Sequence, residues 1–164
     1  MEEFAIIATR QKFKGIFSLS NYYSALYDIF RRKGYQVFEV KYRFKNIPGS
    51  AELELFWECF KKIDSYVRLK IFAKTLIIGL SEVETTIEGV QAKREKGDVE
   101  LEMKCWVQTD YSNTWETSSF LRTLKPFYDR YFYRRTFKEL EGTVAGHLYT
   151  VENEIKAFFK METF

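Results

Sequence analysis

The stretch that decides the fold runs from Glu52 to Phe60 and reads Glu-Leu-Glu-Leu-Phe-Trp-Glu-Cys-Phe. Large apolar side chains occupy every second position, and successive side chains of a strand point to opposite faces of a sheet. The stretch therefore predicts a strand with one apolar face and one face that mixes carboxylates with phenylalanine. The apolar face carries Leu53, Leu55, Trp57 and Cys59.

The same alternation continues on both sides of this strand. Upstream, residues 37–44 place Phe38, Val40, Tyr42 and Phe44 on one apolar face, and a turn over residues 46–49 follows. Downstream, residues 67–74, 83–87 and 101–107 alternate in the same way, with a turn at 63–65, a break at 79–81 and a charged hairpin tip at 93–98. Such a series predicts an antiparallel meander whose outer face pairs opposite charges.

Helical patterns flank the meander. A first strand over residues 4–14 is followed by Ser20, a residue type that caps helices, and the pattern predicts a helix over residues 21–33 that ends at Gly34. From Thr117 to Lys160, apolar residues recur at spacings of three and four, which predicts a long core-facing C-terminal helix.

The expected fold class is α+β: a curved antiparallel sheet of about six strands wrapped around a long C-terminal helix, in strand-helix-meander-helix order, with residues 1–164 forming a single domain. Gly142 and Gly146 lie four residues apart in that helix, which would permit the close approach of a neighbouring backbone.

This order of elements resembles the helix-grip superfamily, which includes START lipid-transfer domains and polyketide cyclase-like proteins. The resemblance is one of topology and spans nearly the whole chain, but it has no motif from which functional residues can be carried over. It implies a sheet curved around the last helix and an apolar pocket between them. The chain differs from the superfamily in having one helix after the first strand, where two are common.

Composition excludes several classes of function. A single His and two Cys leave no zinc cluster and no His-based triad, so we expect no metal and no cofactor. Paired carboxylates such as Glu52 and Glu54 lie on the polar side of a strand and indicate a solvated face, so enzymatic activity is the least favoured function.

No apolar run is long enough to span a membrane and residues 1–3 do not begin a signal peptide, so we expect a cytoplasmic protein. Few Gln, Asn and Cys beside many Lys and Glu favour a thermophilic source.

Aromatic residues are unusually frequent, with 16 Phe, 11 Tyr and 3 Trp. A sheet curved around one helix and lined by such side chains can enclose a ligand-sized apolar cavity, although the same side chains could simply fill a core. The first hypothesis is therefore a non-catalytic binding domain for an apolar or aromatic small molecule. The expected ligand-binding residues are Tyr42, Trp57, Met103, Phe127, Tyr131 and Leu148.

Residues 125–138 interleave basic and aromatic side chains, the combination that stacking on bases and attraction to phosphate require. The alternative interpretation is an amphipathic helix whose aromatics are packed and whose basic groups are solvated. The second functional hypothesis is thus an RNA-, ribosome- or protein-interaction module. Its anionic-partner surface would use Arg130, Arg134, Arg135 and Lys138.

A second group of aromatics is expected on the outer face of the sheet. Exposed apolar patches of this kind mark contacts between proteins. The third hypothesis is a self-associating scaffold, for which a homodimer is the simplest form. Its contact would use Phe56, Phe60, Phe72 and Trp106.

Overall fold

The computed structural model describes residues 1–162 and every side chain among them other than those of Ile87, Phe132, Tyr133 and Arg135. In chain order the elements are β1 Glu2–Phe17, α1 Leu19–Arg32, β2 Gln36–Ile47, β3 Ser50–Lys62, β4 Val67–Ile87, β5 Val90–Thr109, a short 3₁₀ turn Thr114–Glu116, α2 Ser119–Tyr128, a π-helical turn Asp129–Tyr133 and α3 Arg134–Glu162.

One antiparallel sheet holds all five strands, in the order β1-β5-β4-β3-β2. The α+β class, the antiparallel sheet and the long C-terminal helix are confirmed. The strand count is five rather than about six, and the sheet is open. The two edges are β1, which pairs with β5, and β2, which pairs with β3.

The missing sixth strand reflects the path of the chain around residue 79. Gly79 adopts a positive φ of 68°, and the pairing of β4 with β5 shifts register between Ile78 and Ser81. The backbone thus passes through a bulge, where a turn was expected, and β4 continues for 21 residues. The chain reverses instead at Glu88 and Gly89, whose positive φ values of 51° and 81° suit the tight turn of a two-residue hairpin. The expected hairpin tip at 93–98 is therefore wrong, and these residues lie inside β5.

The inner face is confirmed for β3, for β4 up to Ile77 and for β5 from Val99 to Val107, because the alternating apolar residues of these stretches are buried. The expectation that Val83 and Thr85 continue this face is wrong, since beyond the bulge they pair with Arg94 and Ala92 and neither is buried. Residues on the same face of neighbouring strands pair with each other, and the inner residues do so here: Trp57 pairs with Ala73, and Ala73 pairs with Met103. The buried inner set includes Leu53, Leu55, Trp57, Cys59, Val67, Leu69, Ile71, Ala73, Ile77, Val99, Leu101, Met103, Cys105 and Val107.

The expected face of β2 is only half right. The pairing of β2 with β3 shifts register between Glu39 and Lys41. Every second side chain therefore faces one side of the sheet before this bulge and the other side after it. Tyr42 pairs with Leu55 on the inner face, whereas Phe38 pairs with Glu58 on the outer face and contacts the ring of Phe60. One inserted residue is enough to move Phe38 to the other side of the sheet.

Helix α1 begins two residues earlier than expected, because Ser18 rather than Ser20 caps it and accepts a hydrogen bond from the Asn21 amide. Its apolar side buries Tyr22, Leu26, Ile29 and Phe30. Gly34 follows at a φ of 88°, which allows the chain to turn into β2.

Helix α3 lies on the inner face against β1 and β5, with α1 beside it. Val144, Leu148, Val151 and Ile155 form its fully buried stripe. The expected close approach at Gly142 and Gly146 is wrong, since a Cβ atom at either position would meet open space. The inner face is therefore covered by two helices, and the core lies between them and the sheet.

Candidate functional site

The six residues expected to bind a ligand do not gather around one cavity. Trp57, Met103 and Leu148 belong to the core between sheet and helices, where none is more than 1% exposed. Phe127 and Tyr131 lie outside it, with 59% and 73% of their surfaces exposed. Only Tyr42, which is 54% exposed, lines a cleft that reaches the inner face of the sheet.

That cleft, called the α1 cleft below, has a volume of about 590 Å³ and opens between the first turns of α1 and the strands β2, β3 and β4. Helix α1 contributes Tyr22 and Tyr23, and the inner face of the sheet contributes Tyr42, Leu53 and Leu55. The period of the strands places these leucines inward, and the bulge in β2 turns Tyr42 toward them. The result is a concave surface of aromatic rings over an aliphatic floor.

Two sets of polar groups accompany this apolar surface. At the floor, the Tyr22 and Thr75 hydroxyls are 2.8 Å apart and both residues are buried, and burial raises the pKa of Tyr22 above its usual range. At the side, the Tyr23 hydroxyl donates to Glu39 Oε2 at 2.7 Å, and Trp57 Nε1 donates to the same atom at 3.3 Å. Burial and the nearby Glu39 carboxylate together raise the pKa of Tyr23 to about 12.

A second carboxylate, Glu95, completes the rim of the α1 cleft and accepts a hydrogen bond from the Leu19 amide at 3.0 Å. Among the described residues that line the cleft, Glu39 and Glu95 carry negative charge and none is basic. An apolar surface with carboxylates at its rim suits a neutral or cationic apolar ligand and disfavours an anion.

The basic-aromatic segment forms a different site, called the α3 groove below. Arg130, Arg134 and Lys138 lie along one side of a groove of about 290 Å³, whose other walls include Phe4 of β1 and Phe137 of α3. The side chain of Arg135, the fourth member of the expected anionic-partner surface, lies outside the described residues. The basic residues at the end of α1 are engaged elsewhere, since Arg32 pairs with Glu154 at 2.7 Å.

A buried polar cluster lies behind the α3 groove and was not anticipated from the sequence. The Tyr66 hydroxyl donates to Asp129 Oδ1 at 2.5 Å. Lys125, 8% exposed, lies 3.3 Å from Glu2 and 4.0 Å from Asp110, whose side chain is 1% exposed. Burial raises the pKa of Tyr66 and of Asp129. The π-helical turn at 129–133 begins at this cluster, and such turns occur frequently at functional sites.

The outer face of the sheet carries the aromatics expected there, and cations lie over several of them. Arg68 is 4.1 Å from the ring centre of Phe60, Lys70 is 5.1 Å from that of Trp106, and Lys41 is 4.8 Å from that of Phe56. These cation–π contacts cover part of the apolar surface. Self-association through this face stays a prediction.

The remaining candidate groups serve the structure. Tyr35 and His147 are joined by a hydrogen bond of 2.9 Å between hydroxyl and Nδ1, and burial, with the charges of Lys61 and Lys33, lowers the pKa of His147. Cys59 and Cys105 are buried and unpaired, and burial raises the pKa of Cys59 to about 12, so its thiol is unreactive. Within residues 1–162, no group of three or more His, Cys, Asp or Glu side chains is placed to hold a metal ion.

The class that the fold defines is an α+β protein with one open antiparallel sheet and a long C-terminal helix, an arrangement compatible with a helix-grip-like fold. No protein-family model matches the chain, and no curated protein shows significant similarity to it. In the part of the chain that the structure describes, no helix has the length and apolar character needed to cross a membrane.

Proposed function

We propose that this protein binds an apolar or aromatic small molecule, neutral or positively charged, in the α1 cleft. The observation that carries the proposal is the cleft itself, whose volume of about 590 Å³ falls within the usual range of small-molecule sites. Its lining joins Tyr22, Tyr23 and Tyr42 to Leu53 and Leu55 on the inner face of the sheet.

The position of the cleft differs from the one expected from sequence, which lay beneath the C-terminal helix. Leu148 and Met103 meet in that layer and are fully buried. The α1 cleft lies beside that core, where Tyr23 and Tyr27 of α1 contact Trp57 edge to face and remain 37% and 39% exposed. A ligand there would extend the aromatic packing of the core toward solvent.

The buried hydroxyl pair of Tyr22 and Thr75 supports a ligand with one polar group. The two hydroxyls bond to each other, so one of them can still offer a hydrogen bond to a group that enters the floor of the cleft. Fixed polar groups of this kind orient a ligand whose affinity comes mainly from apolar contact.

Binding of naphthalenemethanol, a neutral aromatic alcohol, tests the proposal on the full chain. We expect amide chemical-shift changes in the first turns of α1 and around Leu53 and Leu55. Tyr42→Ala should weaken binding by about five- to tenfold, because it removes one aromatic wall. Tyr131→Ala is the matched control, since it removes another exposed tyrosine ring that does not line the cleft and should leave the affinity unchanged.

The same titration can contradict the proposal in two ways. Shift changes confined to residues 101–107 would place the ligand beneath α3 instead. Equal losses for Tyr42→Ala and Tyr131→Ala, with both variants folded by circular dichroism, would show that neither ring belongs to a specific site.

A further inference from the structure

We propose that the α3 groove is a second, separate ligand site, which binds a small amphipathic carboxylate: one anionic head on an aromatic or short aliphatic body. The inference goes beyond the function proposed for the α1 cleft and does not depend on it. The two sites lie far apart. Thr109 of the groove pairs with Val67, and Thr75 of the α1 cleft is eight residues further along β4, a separation of about 26 Å.

The floor of the groove is aromatic. Phe4 and Phe137 meet edge to face, with ring centres 5.0 Å apart and planes at 82°. Phe4 pairs with Val107 and so extends the apolar inner face of the sheet, but it remains 40% exposed at the groove. An exposed ring held by a neighbouring ring offers a rigid surface against which a flat apolar body can pack.

One side of the groove is cationic. Arg130, Arg134 and Lys138 are exposed and follow one another at intervals of four residues, so they share one side of the helical segment. None of the three forms a hydrogen bond or ion pair through its side chain with any residue that the structure describes. Several other cations among the described residues are paired, as Arg94 is with Glu162 at 2.8 Å. The groove therefore holds three positive groups whose donors are available to a ligand.

The two carboxylates near the groove do not cancel this charge. Asp129 accepts a hydrogen bond from the Tyr66 hydroxyl in the buried cluster behind the groove, and burial raises its pKa. Glu141 lies at the other end, one turn beyond Phe137 and Lys138. An anion placed between Arg130 and Arg134 thus meets two guanidinium groups, each able to donate two parallel hydrogen bonds to a carboxylate.

Size favours a small molecule over a nucleic acid. A volume of about 290 Å³ lies at the lower limit for small-molecule sites, which suits roughly a dozen non-hydrogen atoms. Sequence-tolerant binding of single strands needs several rings that stack successive bases. Here the two rings of the floor meet edge to face, and the volume accommodates one flat aromatic body rather than a row of stacked bases.

Titration with naphthoate, observed through backbone amide shifts, tests the proposal on the full chain. We expect saturable shifts at Phe4, Thr109 and the start of α3, with a Kd of about 0.1–1 mM for a ligand of this size. Naphthalenemethanol, which has the same rings and no charge, should produce much smaller shifts at these residues.

The decisive variant is Arg130→Gln with Arg134→Gln, which removes two exposed cations and leaves the apolar floor intact. We expect naphthoate binding to weaken by about tenfold or more, since charge-assisted hydrogen bonds supply most of the selectivity. Arg43→Gln with Lys45→Gln is the matched control, because it removes the same net charge from β2 and should leave the affinity unchanged.

Three results would overturn the proposal: no saturable shift at the groove, equal binding of naphthoate to the Arg130/Arg134 variant and the parent, or equal binding of the alcohol at the same residues. A fourth would replace it. If a uridine-rich oligonucleotide bound the parent with a steep salt dependence and lost affinity in the same variant while naphthoate did not bind, the groove would be part of a nucleic-acid surface.

Discussion

The α1 cleft and the α3 groove lie on the same face of the same sheet, and they differ in charge and in how they arise. The α1 cleft combines tyrosines with Glu39 and Glu95, whereas the α3 groove combines two phenylalanines with Arg130, Arg134 and Lys138. The first forms between the first turns of α1 and the inner face of β2, β3 and β4. The second forms where the first strand and the last helix meet.

This difference teaches that the aromatic excess has no single role. Rings from distant segments fill the core, as Phe13 stacks on Phe159 at 4.1 Å, and the rings left over form two sites at the ends of the helical layer. If both proposals hold, the charges beside each site would select opposite ligands, because a carboxylate rim repels an anion and a guanidinium row attracts one.

The largest expected effect concerns the layer between the two sites. Leu148→Ala should lower the free energy of unfolding by about 2–5 kcal/mol, because it opens a cavity in a packed interior. Phe127→Ala, at an exposed position, should change it by less than about 0.5 kcal/mol. Urea unfolding measures both. Similar small losses for the two variants would indicate a hollow layer under α3 and remove the distinction between core and sites.

Replacing the glycines of α3 tests the solvent side of the helix. Gly142→Ala and Gly146→Ala should each raise the free energy of unfolding by about 0.5–1 kcal/mol, since alanine restricts the unfolded chain and its methyl group meets open space. Thermal unfolding provides the measurement. Loss of stability in either variant would mean that another surface packs closely there, and that the α3 groove is bounded by more than one helix.

Charge selection at the α1 cleft is an effect of about the same size. Naphthylmethylammonium should bind there about three- to tenfold more tightly than naphthoate, because Glu39 and Glu95 attract the cation across partly solvated distances. Removal of both charges in Glu39→Gln with Glu95→Gln should make the two affinities similar. The comparison of sites fails if naphthoate is the better ligand of this cleft in the parent protein.

The pH dependence at His147 is the smallest of these effects. Because burial lowers the pKa of His147, the unfolded chain takes up its proton at a higher pH than the folded protein, and stability is lost as the pH falls below the unfolded value of about 6.5. His147→Gln removes this titration and keeps an acceptor for the Tyr35 hydroxyl. Unfolding at about pH 7.5 and about pH 5.5 should therefore show a smaller loss in the variant than in the parent. Equal losses would exclude His147 as the cause.

The sequence predicts most of the strands and their buried residues, but it does not predict where the strands bulge. The alternation at Leu53, Leu55 and Trp57 predicted their burial, and the same held for residues 67–77 of β4 and 101–107 of β5. The alternation of side chains did not reveal the bulges after Glu39 and at Gly79, because the residues on either side of an inserted residue still alternate regularly. The turn at Glu88 and Gly89 did leave a signal, since glycine readily adopts a positive φ.

The sites were less predictable than the fold. Arg130, Arg134 and Lys138 could be named because their spacing lies within one segment. Phe4 and Thr109, which complete their groove, come from the first and the last strand in the sequence and are brought together by the pairing of β1 with β5. The buried pair of Lys125 and Asp110 was also missed, because neither residue stands out in the sequence and only the tertiary structure brings the two together.

By itself the sequence determined which residues form strands and helices and which face of each is apolar, because these properties depend on the local period of side chains. Only the tertiary structure decided which aromatic residues fill the core and which line a site. That choice depends on bulges, on strand order and on where α1 and α3 stop covering the sheet, all of which are set by contacts between residues far apart in the chain.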